Sequence, residues 1–430
     1  MPPLDDRHPS TVTDWDDARR RARLAETRLG HNWTTLRRTR LALSRVAVLM
    51  LIVLIGMVQY WVHDVAPERA RLAGTEPSLL PISAPADPGD WDTAVVDMVG
   101  LGGLNASDTA EALPALATMG VVWAIRYDNR GIDTKVIADL IIRAAVMSGI
   151  RNIVLTGHSM GGVIALEVGQ HIHTDSELRL VSVLLDCTPL DLDAVRPDKR
   201  GRGQDMVRWM GWLPGARESR TLRLVVETYA RRDRFVDREG VPGIRLAEWG
   251  DAVAEVLRDK IFNPDAASNG LIESQFLTIV AGGSVDNLRA LSQSADGKPR
   301  PAIVFIRPHD AHRDDVVDVE RTHQVLIDEV GGVDGALLVV LPHGTGHANP
   351  RQRPHDAHRD DVVDVERTHQ VLIDEVGGVD GALLVVLPHG TGHANPRQRP
   401  HEYNTVLAQQ VRPFVERFEQ QIAGRIDAGR

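Results

Sequence analysis

Arg151-Asn152-Ile153-Val154-Leu155-Thr156-Gly157-His158-Ser159-Met160-Gly161-Gly162-Val163-Ile164-Ala165-Leu166 passes from an apolar, β-branched stretch through G-x-S-x-G into a helical pattern. Such a strand, turn and helix need small residues on both flanks of the serine, because a larger side chain there collides with the neighbouring backbone. The five letters alone occur by chance. With a strand before them and a Gly-rich helix start after them, they make Ser159 a candidate nucleophile. The competing reading is a glycine-rich βα turn with a bystander serine.

Outward from this stretch, strands and helices alternate from Trp91 onward, the pattern of an α/β fold with a doubly wound, mostly parallel sheet. Expected strands are Ala94–Val99, Val121–Tyr127, Asn152–Thr156, Leu180–Asp186, Ala302–Ile306 and Ala336–Leu341. Most are nearly continuous apolar runs, as a sheet buried on both faces requires. Lys135–Met147 and Met160–His171 read as helices between them. Residues 188–281 break the rhythm. They read as mostly helical, with one apolar cluster around Trp209, Met210 and Trp212 and another at Leu246, Trp249, Val253 and Val256. Inserted between two core strands, this segment predicts a helical cap. Its Trp/Met stripe reads first as packing, a role that can coincide with substrate contact in a cap over a site.

The chain has 430 residues, room for one large α/β domain with extensions. A net charge of −10 offers no broad cationic face to phosphate backbones and excludes a nucleic-acid partner from the expectations. The single cysteine, Cys187, rules out an intrachain disulfide framework; its apolar surroundings predict a buried core thiol. No metal cluster or phosphate-cradling loop stands out, so no cofactor is expected. Gly100–Gly103 after a strand lacks the full dinucleotide fingerprint.

Val46 to Val62 is a run of seventeen residues without a formal charge. It predicts a transmembrane helix, with Tyr60-Trp61 suited to the interfacial belt. Arg28, Arg37, Arg38, Arg40 and Arg45 precede it closely, whereas Arg69 and Arg71 follow. The positive-inside rule then places the N-terminus in the cytoplasm and the rest of the chain outside. A cleaved signal peptide competes with this reading; the long polar N-region and the missing small-x-small site speak for an uncleaved signal anchor. Residues 1–45 read as a charged cytoplasmic tail, 46–62 as the anchor, 63–90 as a Pro-rich tether and 91–430 as the folded domain. The tether carries Pro67, Pro77, Pro81, Pro85 and Pro88.

Residues 308–353 recur without a change as residues 354–399, with a period of 46. Old repeats diverge, so identity points to a recent tandem duplication or an assembly artefact rather than a solenoid. Each copy carries one expected helix and one strand, Val319–Val330 and Ala336–Leu341 in the first.

From Trp91 to its end, about three quarters of its length, the chain resembles an α/β-hydrolase-fold serine hydrolase of the lipase and esterase kind. The elbow at Ser159 is the specific motif. The resemblance implies the chain order nucleophile, acid, histidine. A serine hydroxyl needs an imidazole to take its proton and a carboxylate to hold that imidazole's tautomer. The family's acid follows a late core strand, here Ala302–Ile306. Asp314 is favoured because Asp314-Asp315-Val316-Val317 places the acid shortly before an apolar pair; Asp315 and Asp310 are the alternatives. The duplicate Asp360 follows no strand, and Asp186 is a minor alternative after an earlier strand.

The family's histidine follows the last core strand, which selects His347 in His343-Gly344-Thr345-Gly346-His347. Its copy His393 is the rival and leads directly into the expected terminal helix Tyr403–Glu419. If copy two is looped out or adds an edge strand, His347 faces Ser159. If the middle is expelled, His393 takes its place. The oxyanion hole needs two backbone N–H groups, from Met160 and, by resemblance, from Leu101 in Val99-Gly100-Leu101-Gly102-Gly103. The family often has histidine before the first glycine of that loop; here it is Val99. These residues imply hydrolysis of a carboxylic ester, lipid esters included, at the membrane. The alternative is a non-catalytic binding or scaffold protein inactivated by the duplication. Oligomeric state is left open.

Overall fold

The computed structural model describes residues 21, 28–237, 243–292, 298–308, 316–330, 336–341, 385–386, 396–397 and 400–428. The chain divides into two units, Met1–Pro67 and Glu68–Arg430. In the first, helix α1 (Arg28–Tyr60) carries the apolar run, and Leu43, Leu49, Met50 and Ile52 stand uncovered on it. The helix is long and apolar enough to cross a membrane.

After α2 (Ala66–Ala73), the second unit builds one eight-stranded sheet in the order β1-β3-β2-β4-β5-β8-β9-β10. Its first half comprises β1 (Ser78–Ser83), β2 (Thr93–Met98), α3 (Ser107–Ala112), β3 (Val121–Arg126), α4 (Thr134–Ser148), β4 (Asn152–His158), α5 (Met160–Asp175) and β5 (Arg179–Asp186). The cap follows with α6 (Pro197–Trp212), α7 (Arg220–Ala230), the short pair β6 (Val236–Asp237) and β7 (Gly243–Ile244), α8 (Leu246–Val256) and α9 (Asn269–Ala281). The sheet then resumes through α10 (Ser284–Leu291), β8 (Ala302–Pro308), α11 (Val319–Val330), β9 (Ala336–Leu341) and β10 (Val385–Val386), before α12 (Pro400–Val406) and α13 (Arg412–Ala428). Among the described residues, only β1 runs antiparallel to its neighbour in this sheet.

This is an α/β-hydrolase fold, and its core follows the period-two rule of strands. On β2, Ala94, Val96 and Met98 join Ile137 and Ile141 of α4 and Ile164 and Val168 of α5 in one apolar cluster. Val95, between them, joins Leu116, Tyr403, Val406 and Phe414 in the other. Both faces are therefore covered, as the continuous apolar runs foretell. Helix α4 starts at Asp133, whose carboxylate accepts from the Val136 N–H at 3.0 Å.

Two expectations need correction. The segment 63–90 is not a free tether: Ala66–Ala73 is helical and Ser78–Ser83 is a sheet strand. Pro81 has no N–H for a ladder, and the strand accommodates it at the sheet edge, where the register shifts between Pro81 and Ser83. The tryptophans of the Trp/Met stripe on α6 are also not packed, whereas Met210 is half-buried. Trp209 and Trp212 are 61% and 75% exposed, and they meet each other edge to face at 5.8 Å.

In β10, Val385 pairs with Val339 and Val386 with Val340. Each pair consists of one residue and its own copy 46 positions later. The second copy thus adds a strand at the sheet edge, where the open side of β9 offers a ladder to an identical apolar segment.

The chain runs from β2 out to β3 and back past β2 to β4, so the strand order reverses between β2 and β4. In open α/β sheets the crevice at the carboxyl ends of such strands is where ligands bind. Ser159 leaves β4 there, and Gly100–Gly103 leaves β2.

Candidate active site

Ser159 holds φ 56° and ψ −125°, one of two non-glycine residues with positive φ among the described residues. Backbone of this kind costs on the order of 1–3 kcal/mol and persists only where its surroundings impose it. Here they do. A Cβ on Gly157 would lie 2.3 Å from the Gly161 carbonyl carbon, and one on Gly161 would lie 2.1 Å from the Met98 carbonyl oxygen. Both flanks of the serine are thus closed to any side chain, and β2 presses directly on the start of α5. The Ser159 N–H donates to the Asp186 carbonyl at 2.7 Å, which ties the turn to the end of β5. Cys187 is buried as expected, and its φ of 46° marks a second strained turn immediately after Asp186.

The loop after β2 reaches the serine. A Cβ on Gly100 would meet the His158 carbonyl oxygen at 2.9 Å and the Ser159 Cβ at 3.4 Å. Three bonds from distant residues hold this loop. The Tyr127 hydroxyl donates to the Val99 carbonyl at 3.0 Å. Gln275 of α9 accepts from the Gly102 N–H at 2.8 Å and donates to the Gly103 carbonyl at 2.7 Å. Gln275 is fully buried, so the cap braces the loop through one side chain. Among the described residues, no protein acceptor takes the backbone N–H of Leu101 or Met160. Those are the two groups expected to form an oxyanion hole.

Beside the elbow lies a polar group of four, buried except for the partly exposed His158. His158 donates through Nδ1 to Asp186 at 2.6 Å, and the Tyr403 hydroxyl donates to the other Asp186 oxygen at 3.0 Å. Asp186 therefore braces β4, β5 and α12 together. Asp97 of β2 is buried beside them with Oδ2 unpartnered. Burial, with a smaller contribution from the Asp186 charge, pushes its carboxyl up to about 7. A carboxyl raised in the folded state favours the protonated form, so its stability contribution is complete below about pH 4 and is lost as pH rises towards 7. Asp97→Asn is expected to remove that slope and to stabilise the chain at pH 8 by a few kcal/mol, since each ten-fold difference in proton affinity between the folded and unfolded chain is worth about 1.4 kcal/mol. Urea unfolding at pH 4, 6 and 8 measures it.

Asp314, Asp315, Asp310 and Asp360 lie outside the described residues, as do His343, His347 and His393. Asp314 follows β8 by six residues, and His347 follows β9 by six. Sequence reasoning missed Gln275, Tyr127, Asp97 and Tyr403. Gln275 left one signal, a lone amide in the largely apolar helical pattern Leu271–Ala281.

Residues 84–365 match the family described as Alpha/beta hydrolase family. No curated protein matches the chain. Solved structures with a similar fold include a protein named as a non-heme bromoperoxidase from Mycobacterium tuberculosis H37Rv (14% identity, 79% of this chain and 96% of that one, TM-score 0.41). Another is a carboxylesterase of the thaumarchaeon Nitrososphaera gargenis (15%, 62% and 86%, TM-score 0.38). A third is the monoacylglycerol lipase of Paleococcus ferrophilus (13%, 62% and 88%, TM-score 0.37).

Proposed function

Because this chain belongs to the alpha/beta hydrolase family, we propose that it is a membrane-anchored serine hydrolase that cleaves carboxylic esters, lipid acyl esters included. The observation that carries the reading is the strained backbone of Ser159 between two glycines that admit no side chain. Ser159 Oγ attacks the acyl carbon while the histidine of the Gly-His loop takes its proton. Asp314 holds that histidine's other nitrogen. The N–H groups of Met160 and Leu101 receive the negative charge that develops on the carbonyl oxygen. The alcohol leaves with the proton from the imidazolium, and water then cleaves the acyl-enzyme by the same steps in reverse. His347 is the base, because it follows the strand that pairs with β8. The apolar helix anchors the enzyme with its N-terminus in the cytoplasm and the hydrolase domain outside.

Turnover of p-nitrophenyl esters from acetate to palmitate tests the substrate class, and fluorophosphonate labelling tests the nucleophile. Absence of both activities in the detergent-solubilised full chain would sink the proposal.

Gln275 acts as a positioning residue in this scheme. Gln275→Met keeps the volume but deletes both bonds to the loop after β2. Loss of a whole oxyanion donor costs about 10²–10³ in kcat; a loosened loop should cost about ten-fold to a hundred-fold. The loss should fall on kcat with KM nearly unchanged, since the hole acts on the transition state. Steady-state kinetics on a short-chain ester separates the two.

A further inference from the structure

A cavity of about 180 Å³ lies at the start of α7, between Glu68 and Arg71 of α2 and the turn that leads into α9. It exceeds the ~30 Å³ share of a single water but falls short of the about 300–1,000 Å³ of drug-sized ligand pockets. A small polar group fits it. A whole lipid does not.

Its charges do not cancel. Arg71, Arg220, Arg223 and Lys260 line it, against Glu68 and Glu218. Glu68 is buried and consumed by two partners, Arg71 at 2.6 Å and Arg220 at 2.6 Å. Glu218 is held by Arg69 at 2.9 Å. Arg223 is only 7% exposed, and its Nε has no hydrogen-bond partner. The carboxylate paired with it, Glu227, stands 4.0 Å away and is bonded by Arg231 at 2.7 Å. Lys260 has no carboxylate within ion-pair distance among the described residues.

A buried guanidinium cannot shed its proton near neutral pH, and Glu227 at 4.0 Å compensates its charge without a hydrogen bond. Burial already pulls its pKa down. What the position lacks is a hydrogen-bonding anion of its own, since Glu227 stands at the limit of ion-pair distance and is shared with Arg231. The start of α7 adds the positive end of a helix dipole, with Ser219 capping it by accepting from the Leu222 N–H at 2.9 Å. Arg with its planar fork, Lys as a point charge and a helix start together suit phosphate oxygens. One apolar side chain stands open at the cavity: Phe262 borders it and is 71% exposed. Glu68 follows the end of the apolar run at Val62 by six residues.

We propose that this cavity binds a phosphate group, with Arg223 and Lys260 as its principal cationic ligands. The phosphate is carried by a lipid headgroup or is free in solution. None of the residues proposed for ester cleavage lines the cavity, so the inference does not rest on that activity.

The test uses the full chain in a phosphate-free maltoside detergent, titrated calorimetrically with three probes. These are inorganic phosphate, a short diether phosphatidylglycerol that no esterase can cleave, and the matching diether glycerol without phosphate. Saturable binding of the phospholipid alone assigns a headgroup site. Binding of inorganic phosphate as well assigns a free-anion site. In both cases Arg223→Gln and Lys260→Gln should weaken binding at least ten-fold. A purely structural Arg223 would instead lower the melting temperature when replaced, whereas a ligand-binding one leaves the unliganded melting temperature equal or higher. Lys260→Gln, at a partly exposed position of the helical segment Leu257–Ile261, keeps the comparison open should Arg223→Gln fail to fold. The proposal is overturned if neither phosphate probe binds saturably, if both variants bind as the wild type does, or if the phosphate-free diether binds equally well.

Discussion

The Ser159→Ala chain is expected to fold as the wild type does and to lose ester turnover by about 10⁴- to 10⁶-fold, the range over which removal of a serine nucleophile acts. Alanine keeps the Cβ and therefore the same steric demand at φ 56°. The bond from residue 159 to the Asp186 carbonyl is made by the backbone and survives the change. No cavity opens, because only one oxygen is removed. Stability should accordingly shift by less than about 1 kcal/mol, well inside the usual range for point changes. A large loss of kcat/KM at unchanged stability separates a chemical role from a structural one. Labelling by a fluorophosphonate should disappear in parallel. Equal labelling of wild type and Ser159→Ala would place the nucleophile elsewhere and remove the basis for the reaction proposed.

That serine was legible in the sequence because its demands are local. The strand, the turn glycines and the helix start all fall within about fifteen residues, and each rule acts over a few bonds. The central strands were legible for a similar reason: burial on both faces turns them into apolar runs, and their ends fell close to those observed. Ser78–Ser83 escaped because Pro81 argues against a strand wherever the neighbours are unknown, and only the completed sheet reveals that it sits at an edge. Gln275 escaped because its partners Gly102 and Gly103 are 173 and 172 positions away. Tyr403 reaches Asp186 across 217 positions. No periodicity encodes such contacts. The exposed Trp209 and Trp212 show the opposite failure, in which a pattern that ordinarily means packing stands in solvent on the cap.

The duplication sets the remaining large effect. His347→Ala should lower kcat/KM by at least about 10³-fold, while His393→Ala should leave it within two-fold. The asymmetry follows from the sheet. Copy one supplies β9, in register with β8 over six residue pairs from Ile303↔Ala336 to Pro308↔Leu341. Among the described residues, copy two supplies Val385 and Val386 to the sheet, one strand farther out. The loop that follows β9 thus starts one strand nearer to Ser159. The C-terminal side nonetheless has its own anchors: Tyr403 on Asp186, Asn404 on the Ala112 carbonyl at 3.1 Å, and Arg397 on Asp108 at 2.7 Å. These hold the end of copy two and the chain that follows it, whichever histidine serves. Deletion of residues 354–399 tests both halves of the argument, because it joins Arg353 to Pro400 and reproduces the Arg399-Pro400 junction letter for letter. Among the described residues, the shortened chain loses a two-residue edge pairing and the Arg397–Asp108 bond, for which Arg351 is the matching residue of copy one, and keeps every bond described around Ser159. It should retain turnover at or above the full-length level, and His347→Ala in it should then be inactive. Were His393→Ala the inactive variant in the full chain instead, the base would belong to the second copy, and the β9 strand beside β8 would be scaffold alone.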